Sequence, residues 1–420
     1  MPRILHFGIG NFHRAHQAAY IQVADPAWRI TGVSLRHATI RDALASQGFG
    51  YTLVIRDADA ARYERMAVHD EVLVGPEDGA AILDRIADPD VKMITLTVTE
   101  KGYHLGADGR LNKTAPLIAH DLAAQLPSTA IGFLARGLRR RADECGPPVN
   151  IVSCDNLPDN GRKLAQAIVA FSEWAGLDLA SYLDAHVRFP NTMVDRIVPA
   201  TTDALRAEVA DATGLMDAHP VATEAFSEWY IADTMLSPIP DLGGVGVRIV
   251  ADVAPFELRK LRMLNGAHSL LAYAGVLAGH DYVHQAIRDA QLRDQVAAFW
   301  EEAASTLPAA SRDGADDYAQ ALLARFANPG LRHELRQIAM DGSLKLPIRI
   351  APVIAARQAR GQTAPAAEGA RHAWASFVAA ALRSGTAIDD PRADIFAELG
   401  KTHRGDEPAL ISALLDQISG

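Results

Sequence analysis

The sequence predicts an α/β domain with a parallel sheet, followed by a mostly α-helical C-terminal domain. In the first half, short apolar runs alternate with helical patterns, and beyond about residue 254 the strand signals fade. Strands that alternate with helices are typical of a parallel sheet covered on both faces. Residues 238–246 (PIPDLGGVG) are rich in proline and glycine and form the best linker candidate. We therefore predict one domain at residues 1–246 and a second at 247–420.

In the first domain, β-branched and apolar runs predict strands, and periodic patterns between them predict helices. The two helices that precede the last strand are separated by Pro127, which cannot continue a helix. The predicted strands are 4–7, 30–35, 91–99 and 149–153, and the predicted helices are 14–23, 40–46, 116–126 and 128–141.

In the second domain the pattern is helical throughout, with glycines as helix ends. Residues 360–369 (RGQTAPAAEG) are predicted to form an exposed loop. The predicted helices are 257–274, 284–305, 317–326, 333–339 and 372–383.

Composition excludes several classes of protein. The chain has 420 residues, of which 41 are Lys or Arg and 51 are Asp or Glu, giving a net charge of −10. So acidic a chain is unsuited to general binding of nucleic acid or of anionic membranes, because both need a basic surface. No apolar run is long enough to span a membrane and the N-terminus lacks a signal-peptide pattern, so we expect a cytoplasmic protein. The two cysteines, Cys145 and Cys154, form no CxxC pattern, and no metal site is predicted.

A glycine turn joins the first predicted strand to the first helix, in the segment GIGNFHRAH at residues 8–16. Gly8 and Gly10 allow a tight turn and a close approach of the backbone to a pyrophosphate, as in Rossmann-type dinucleotide-binding domains. His13 stands where the third glycine of that pattern is usual. We predict that Gly8, Gly10, Asn11 and Phe12 contact the cofactor.

The end of the second predicted strand bears on the choice of cofactor. The acidic residue that binds the ribose hydroxyls of NAD is absent, and Arg36 follows the strand instead. An arginine there can bind the 2′-phosphate of NADP, or it can simply be a solvated side chain at a strand end. The sequence therefore leaves NAD and NADP both open.

The segment ELRKLRMLNGAH, residues 257–268, carries the polar groups most suited to catalysis. At about 100° per residue on an α-helix, Glu257, Lys260, Asn265 and His268 fall within a sector of roughly 140° that also holds leucines. Polar groups among leucines on one helix face indicate a buried or cleft-facing cluster. Lysine, asparagine and histidine beside a cofactor domain suit proton transfer to a hydroxyl or carbonyl.

Six segments in this order resemble the polyol-specific long-chain dehydrogenases, the mannitol dehydrogenase group that also includes fructuronate and mannonate oxidoreductases. The set is specific because a Lys-x4-Asn-x2-His helix follows an SCDN and a VDR segment. The matching segments are GIGNFHRAH (8–16), LTVTEKGY (96–103), SCDNLPDNG (153–161), FPNTMVDRIVP (189–199), KLRMLNGAH (260–268) and DGS (341–343).

The resemblance implies a role for each matching residue. Lys260 would be the acid/base, Asn156 and Asn265 would form an oxyanion hole, and His268 would contact the substrate hydroxyl. Carboxylates near the lysine would route protons, and two further residues would bind the substrate chain. The implied proton-relay residues are Glu257 and Glu100, and the implied substrate-binding residues are Asp195 and Arg336.

These observations predict a metal-independent, NAD(P)-dependent polyol dehydrogenase that uses Lys260 to interconvert a sugar alcohol and a ketose. The alternative is a sugar-acid oxidoreductase of the fructuronate or mannonate type, which would need a cationic partner such as Arg336 for the carboxylate. A dinucleotide sensor without catalysis would need no Lys–Asn–Asn set, and the intact set argues against it. The resemblance also favours a monomer whose partners are small molecules.

Overall fold

The computed structural model describes residues 1–57, 60–106 and 108–418. The chain divides into two compact units, Met1–Ala254 and Pro255–Gly420. The sequence predicted the boundary after Gly246, whereas the contacts place it after Ala254. The reason is that the strand Arg248–Val250 pairs in parallel with the strand Glu228–Ala232 of the first unit. Sheet pairing thus keeps the residues after the glycine-rich stretch with the first unit.

The first unit alternates strands and helices. Strands β1–β12 in the described chain are Arg3–Phe7, Arg29–Ser34, Tyr51–Arg56, Ala61–Met66, His69–Val74, Val91–Leu96, Val149–Ser153, Val187–Arg188, Thr192–Asp195, Val221–Glu224, Glu228–Ala232 and Arg248–Val250. Helices α1–α9 are Asn11–Ala15, Gln17–Ala24, Thr39–Ala45, Gly75–Ala87, Pro116–Ala123, Ala130–Asp143, Asn160–Trp174, Ala180–His186 and Asp203–Thr213.

The main sheet has six strands in the order β5-β2-β1-β6-β7-β8, and every neighbouring pair is parallel. The strand order reverses between β1 and β6, which is the doubly wound arrangement of a Rossmann fold. Ligands of such sheets bind at the carboxyl ends of the strands beside that reversal. The predicted fold class of this unit is therefore confirmed.

Residues on β1 and β6 alternate between two hydrophobic cores, as expected for strands covered on both faces. Leu5 and Ile94 belong to the core that contains α4, α6 and α7, whereas Ile4 and Met93 belong to the core on the opposite face. The sheet is thus buried on both sides, which explains why its strands are near-continuous apolar runs in the sequence.

The first unit also contains two smaller sheets that the sequence did not predict. One has the order β10-β3-β4 and the other β12-β11-β9. Strand β4, with the sequence ARYERM, is largely exposed and lacks an apolar run. The predicted helix at 14–23 also differs, because it starts at Asn11 and is interrupted at His16.

From Ala254 onward the described chain is helical, which confirms the predicted C-terminal class. The helix Gly266–Leu277 (α11) is buried along most of its length, and it packs against the helices Ala290–Ser305 (α13), Leu335–Ala339 (α16) and Pro365–Ser384 (α19). The predicted loop 360–369 is shorter than expected, because a helix begins at Pro365. Helices α10–α21 are Ala254–Arg259, Gly266–Leu277, Val283–Ala286, Ala290–Ser305, Ala309–Arg312, Ala315–Ala327, Leu335–Ala339, Gly342–Arg349, Ala351–Gln358, Pro365–Ser384, Ala393–Thr402 and Glu407–Asp416.

Two properties of the described residues bear on membranes and metals. No helix among them is both long and apolar enough to cross a bilayer. Within the same ranges, no three or more His, Cys, Asp or Glu side chains are grouped so that they could hold a metal ion.

Candidate functional site

The glycine turn after β1 is built so that its first position must be glycine. Gly8 has a φ of 98°, and a Cβ atom there would lie 2.1 Å from the carbonyl oxygen of Thr97. The Gly8 amide donates to the carbonyl of Val33 at 2.9 Å, and the Thr97 hydroxyl donates to the Gly8 carbonyl at 2.7 Å. The turn is therefore fixed to the ends of β2 and β6, the strands on either side of β1.

A cleft of about 370 Å³ opens at this turn. Its walls come from the carboxyl ends of β1, β2 and β6 and from the start of α6. The residues that line it are Gly8, Ile9, Gly10, Ser34, Leu35, Arg36, His37, Ile40, Thr97, Val98, Thr99, Gly102, His104, Leu117, Ser128, Thr129 and Ala130.

The residues of this cleft fit a dinucleotide. A Cβ atom on Gly10 would meet nothing closer than 4.0 Å, so the backbone at Gly10 faces open space. Hydroxyl, imidazole and guanidinium groups line the walls, and within the described chain none of the lining residues is acidic. An anionic group such as a phosphate therefore meets donors and no repelling carboxylate in the wall.

Two residues predicted to contact the cofactor have their side chains engaged elsewhere. The Asn11 amide donates to the Pro199 carbonyl at 3.2 Å and to the Thr201 hydroxyl at 3.1 Å. The Phe12 ring stacks on His16, with ring centroids 5.1 Å apart. Gly8, Gly10 and Arg36 line the cleft, whereas Asn11 and Phe12 are not among its lining residues.

Imidazole rings replace the third glycine of the usual pattern. That glycine normally allows close packing of helix on strand. Here the His13 ring of α1 stacks on the His6 ring of β1 at 3.3 Å, and its Nε2 lies 2.9 Å from Nε2 of His69 on β5. All three rings are buried, and burial lowers the pKa of His6 and of His69 to about 3 and that of His13 well below its ordinary value. The three rings are therefore neutral at physiological pH.

Glu100 and Asn156 lie at the same edge of the sheet as the cleft. Glu100 is exposed and begins a short 3-10 helix, Glu100–Tyr103, beyond β6. Asn156 is exposed and follows the end of β7, the parallel neighbour of β6. Because carboxyl ends of parallel neighbours share one edge, the topology brings these residues toward the cleft.

Asp195 lies in a different sheet of the same unit. It is the last residue of β9, is only 3% exposed and stands opposite Glu228 of β11 in the antiparallel register. Its role toward substrate stays a prediction.

In the second unit, Lys260, Asn265 and His268 share one helical segment, but the segment is not a continuous α-helix. Lys260–Asn265 is π-helical and is followed directly by α11. A π turn, with i→i+5 hydrogen bonds, holds more residues than an α turn, so each residue advances by less than about 100°. The prediction of a regular α-helix is therefore wrong in this detail. The sector of roughly 140° that was calculated for Glu257, Lys260, Asn265 and His268 on an ideal α-helix does not apply to them. Such π segments occur frequently at functional sites.

Side chains from neighbouring helices bond to this distorted segment. The Trp300 indole donates to the Met263 carbonyl at 3.0 Å. The Arg349 guanidinium donates to the Ser269 hydroxyl at 3.2 Å and lies 3.5 Å from the Asn265 carbonyl. These donors lie outside the helical segment, and they contact two carbonyls of the π turn, those of Met263 and Asn265, and one hydroxyl of α11, that of Ser269.

His268 lies in an aromatic and cationic environment. Its ring stacks on Phe326 at 4.5 Å and meets the His333 ring edge-on at 5.2 Å. Burial lowers the pKa of His268 well below its ordinary value, and His333, Arg325, Arg349 and Lys260 lower it further. Its Nε2 atom is buried and has no hydrogen-bond partner within the described residues. A substrate hydroxyl is the kind of group that would satisfy that nitrogen.

The remaining predicted residues of this unit are more accessible. Lys260 and Glu257 are half-buried, and Arg336 is exposed on α16. Helix α16 packs against α11, the helix that carries His268.

Asp155 and Thr99, which meet at the turn that follows β6, were assigned no role from the sequence. Asp155 lies within the SCDN segment and bonds to the turn that follows β6. Thr99 lines the cleft with a φ of 66°. The position of Asp155 beside Asn156 was an available signal, whereas a positive φ at a β-branched residue has no sequence signal.

A doubly wound parallel sheet with a glycine turn at its strand-order reversal defines the class of dinucleotide-binding Rossmann proteins. Residues 2–243 match the mannitol dehydrogenase Rossmann domain, and residues 252–418 match the mannitol dehydrogenase C-terminal domain. The chain therefore belongs to the mannitol dehydrogenase family, and it is an oxidoreductase.

Individual relatives agree with this assignment. The chain is 38% identical over 417 residues to the D-mannonate oxidoreductase of Escherichia coli, covering 96% of this chain and 86% of that protein. It is 36% identical over 406 residues to the mannitol 2-dehydrogenase of Phaeosphaeria nodorum, covering 93% and 72%. The structure of Pseudomonas fluorescens mannitol 2-dehydrogenase in a ternary complex with NAD and D-mannitol matches with a TM-score of 0.85 and 32% identity, covering 99% of this chain and 91% of that one.

Proposed function

We propose that the protein is an NAD(P)-dependent polyol dehydrogenase of the mannitol 2-dehydrogenase type. The observation that carries the proposal is that one chain holds both a cleft at the glycine turn of Gly8 and Gly10 and a helical segment with Lys260, Asn265 and His268, whose Nε2 is unsatisfied within the described chain. Family membership supports it, because relatives named mannitol 2-dehydrogenase match most of the chain.

In this proposal Lys260 moves the proton of the reacting hydroxyl. Oxidation of a secondary alcohol removes a proton from oxygen and a hydride from carbon, and a bound nicotinamide dinucleotide supplies the hydride acceptor. Lys260 accepts the proton in its neutral form. Glu257, which is half-buried, and Glu100, which is exposed, pass the proton on toward water.

Amide groups stabilise the charge that develops on the substrate oxygen. Asn156 and Asn265 donate to this oxygen as the hydride departs, and a donor in such a role is typically worth about 2.7–4 kcal/mol. His268 bonds to a substrate hydroxyl through its unsatisfied Nε2, while Asp195 and Arg336 bind the rest of the chain.

The test is oxidation of NADH and of NADPH with a panel of ketoses, and the reverse reaction with hexitols. We expect turnover with at least one ketose–hexitol pair without added metal. Coenzyme binding without turnover on any member of the panel would contradict the proposal.

Arg36 supports a preference for NADP over NAD within this function. Its side chain is exposed at the cleft, beside the half-buried Ser34 and the exposed His37. No acidic residue lines this part of the cleft in the described chain, so the wall suits a 2′-phosphate better than ribose hydroxyls. Arg36→Ala should then weaken NADPH binding at least tenfold more than NADH binding, because a charge-assisted pair is lost from only one ligand. Equal weakening of both would show that Arg36 does not bind the phosphate.

A sugar-acid oxidoreductase is the second candidate, and the surroundings of His268 favour it. Arg325, Arg349 and Lys260 all act as positive charges on that ring, a field that suits a carboxylate-bearing substrate. The similarity to a D-mannonate oxidoreductase points the same way. Comparing kcat/KM for hexonates and hexitols at several salt concentrations separates the two. A sugar-acid enzyme should prefer hexonates, with a preference that falls as salt rises, whereas a polyol enzyme should show little salt dependence.

A further inference from the structure

The turn that follows β6 carries an unusual backbone conformation in the wall of the cleft. Thr99 has a φ of 66° and a ψ of 161°, a combination that is essentially restricted to glycine. For a β-branched residue this is a genuine outlier, and such strain persists only where surrounding bonds hold it. Thr97, Val98 and Thr99 all line the cleft, so the strained turn forms part of its surface.

One buried carboxylate holds this turn. Asp155 is 8% exposed, and its carboxylate accepts the amide of Val98 at 3.1 Å and the amide of Thr99 at 2.7 Å. The same carboxylate accepts the hydroxyl of Tyr103 at 2.8 Å, which lies at the far end of the 3-10 helix. Asp155 therefore bonds to both ends of the segment that follows β6.

Asp155 also fixes the turn that follows β7. Its backbone carbonyl accepts the amide of Leu157 at 2.9 Å and the side-chain amide of Asn160 at 3.2 Å. Asn156, the proposed oxyanion donor, lies in this turn, between Asp155 and Leu157 in the sequence. One residue thus connects the wall of the cleft with the turn that carries the proposed oxyanion donor, Asn156.

We propose that Asp155 is a positioning residue that holds Thr99 in its strained conformation and thereby sets the shape of the coenzyme cleft. The proposal rests on the proposed coenzyme function of that cleft. Asp155 itself does not line the cleft, so it acts through Val98, Thr99 and Tyr103.

The electrostatics of Asp155 agree with this role. Burial raises the pKa of its carboxyl to about 6, while the bonds from Tyr103, Val98 and Thr99 lower it and the charge of Glu100 raises it. The ionised form that accepts all three donors is thus stabilised by the turn it holds.

The primary variant is Asp155→Asn, measured by titrating the folded full-length chain with NADH and NADPH. The new amide NH2 replaces one of the two acceptor oxygens, so the backbone amide of either Val98 or Thr99 faces a donor and the turn loses a bond that holds its shape. We expect the coenzyme Kd to rise about tenfold or more. The matched control is Asp217→Asn, because Asp217 is also buried and also accepts two backbone amides, but from Thr52 and His219, which do not line the cleft. The control should lower the melting temperature without changing the Kd.

Thr99→Gly distinguishes a positioning role of Asp155 from a general effect of Asp155 on stability. Glycine adopts the conformation of Thr99 without strain. In the wild-type background this change should weaken binding slightly, through loss of a wall side chain. In the Asp155→Asn background it should instead tighten binding, because the turn no longer needs the carboxylate to reach its shape. If Asp155→Asn does not fold, Tyr103→Phe replaces it, with a smaller loss of affinity and the same rescue by Thr99→Gly.

Three outcomes overturn the inference. They are an unchanged Kd in a folded Asp155→Asn protein, an equal Kd change in the Asp217→Asn control, and a Thr99→Gly change that weakens binding in both backgrounds. A wild-type protein that binds neither coenzyme overturns the proposed function and this inference with it. If the wild-type protein binds a coenzyme and any of the three outcomes is found, this inference alone is overturned and the proposed function stands.

Discussion

At the scale of single residues, the two glycines of the turn have different physical roles. Gly8 is required by the fold, because its positive φ and the nearby Thr97 carbonyl exclude any side chain. Gly10 has an ordinary φ of −78°, and a side chain there would extend into open space. The first glycine therefore permits the turn, and the second leaves room for a ligand.

We predict that Gly10→Val retains the fold and loses most of its coenzyme affinity, at least tenfold, because the new side chain occupies space beside the backbone that the pyrophosphate approaches. Gly8→Ala should instead destabilise the protein, since its Cβ cannot be accommodated. Circular dichroism melting and NADH titration of both variants test this pair. A folded Gly10→Val protein with wild-type affinity would move the coenzyme site elsewhere.

Lys260 gives the sharpest prediction about the chemistry. Lys260→Ala should lower the oxidation rate by about 10²-fold or more, the usual scale of general acid–base catalysis, while coenzyme affinity stays nearly unchanged. Wild-type oxidation should rise with pH as the ammonium loses its proton and then level off, and the variant should lose this ionisation.

Asn265→Ala is the control for Lys260. It removes a hydrogen-bond donor and keeps the base, so its rate should fall while the ionisation stays visible in the pH profile. Small added amines should restore part of the activity of Lys260→Ala and none of that of Asn265→Ala. A Lys260→Ala enzyme with the wild-type rate and pH profile would refute the mechanism.

At the scale of elements, the packing of α1 on the main sheet depends on neutral imidazoles. His6, His13 and His69 come from β1, α1 and β5, and all are buried with lowered pKa values. In the unfolded chain each would bind a proton near pH 6.5. Because the unfolded state then binds more protons than the folded one, stability falls as the pH falls from about 6.5 toward 3.

We predict that acid destabilises the first unit by up to about 1.4 kcal/mol per pH unit for each of these histidines. Asp155 has the opposite effect on stability, because its pKa is raised to about 6 and the folded state therefore binds its proton more tightly. This effect comes from one group and covers a narrower pH range than that of the three histidines. Urea unfolding at pH 7, 6 and 5 should show a falling midpoint. His69→Gln should reduce this pH dependence, whereas the exposed His372→Gln should leave it unchanged. A midpoint independent of pH would contradict the assignment of neutral rings.

At the scale of the whole molecule, the coenzyme cleft and the proposed proton-transfer residue lie in different units. The first unit, Met1–Ala254, has its own sheets and cores and holds the cleft, Asn156 and Asp195. The second unit holds Lys260, Asn265 and His268. Coenzyme binding should therefore be separable from turnover.

We predict that a fragment of residues 1–254 folds, binds NADH or NADPH, and turns over no polyol. A ligand that binds only the folded form stabilises it by about 2.7 kcal/mol at a hundredfold excess over its Kd. A rise in the melting temperature of the fragment with coenzyme measures this effect, and Gly10→Val in the same fragment should abolish it. Polyol turnover by the fragment would show that the base lies in the first unit.

Much of this organisation could be predicted from local sequence. The four inner strands of the main sheet, β2, β1, β6 and β7, were found because both of their faces are apolar, whereas the edge strands β5 and β8 were not predicted. The family was found because short motifs such as SCDN and KLRMLNGAH keep their spacing. The glycine turn was found because Gly8 and Gly10 stand between a strand pattern and a helix pattern. Each of these signals is carried by residues that are neighbours in sequence.

The tertiary structure decided what depends on distant neighbours. The exposed strand β4 has no apolar run, and its place is set by pairing with β3. The π-helical form of Lys260–Asn265 is accompanied by bonds from Trp300 and Arg349, far along the chain. The strain at Thr99 is held by Asp155, which follows the end of β7 and accepts the Thr99 amide. Sequence patterns report which residues are buried or flexible, but strain and irregular helices arise only from contacts that the folded chain brings together.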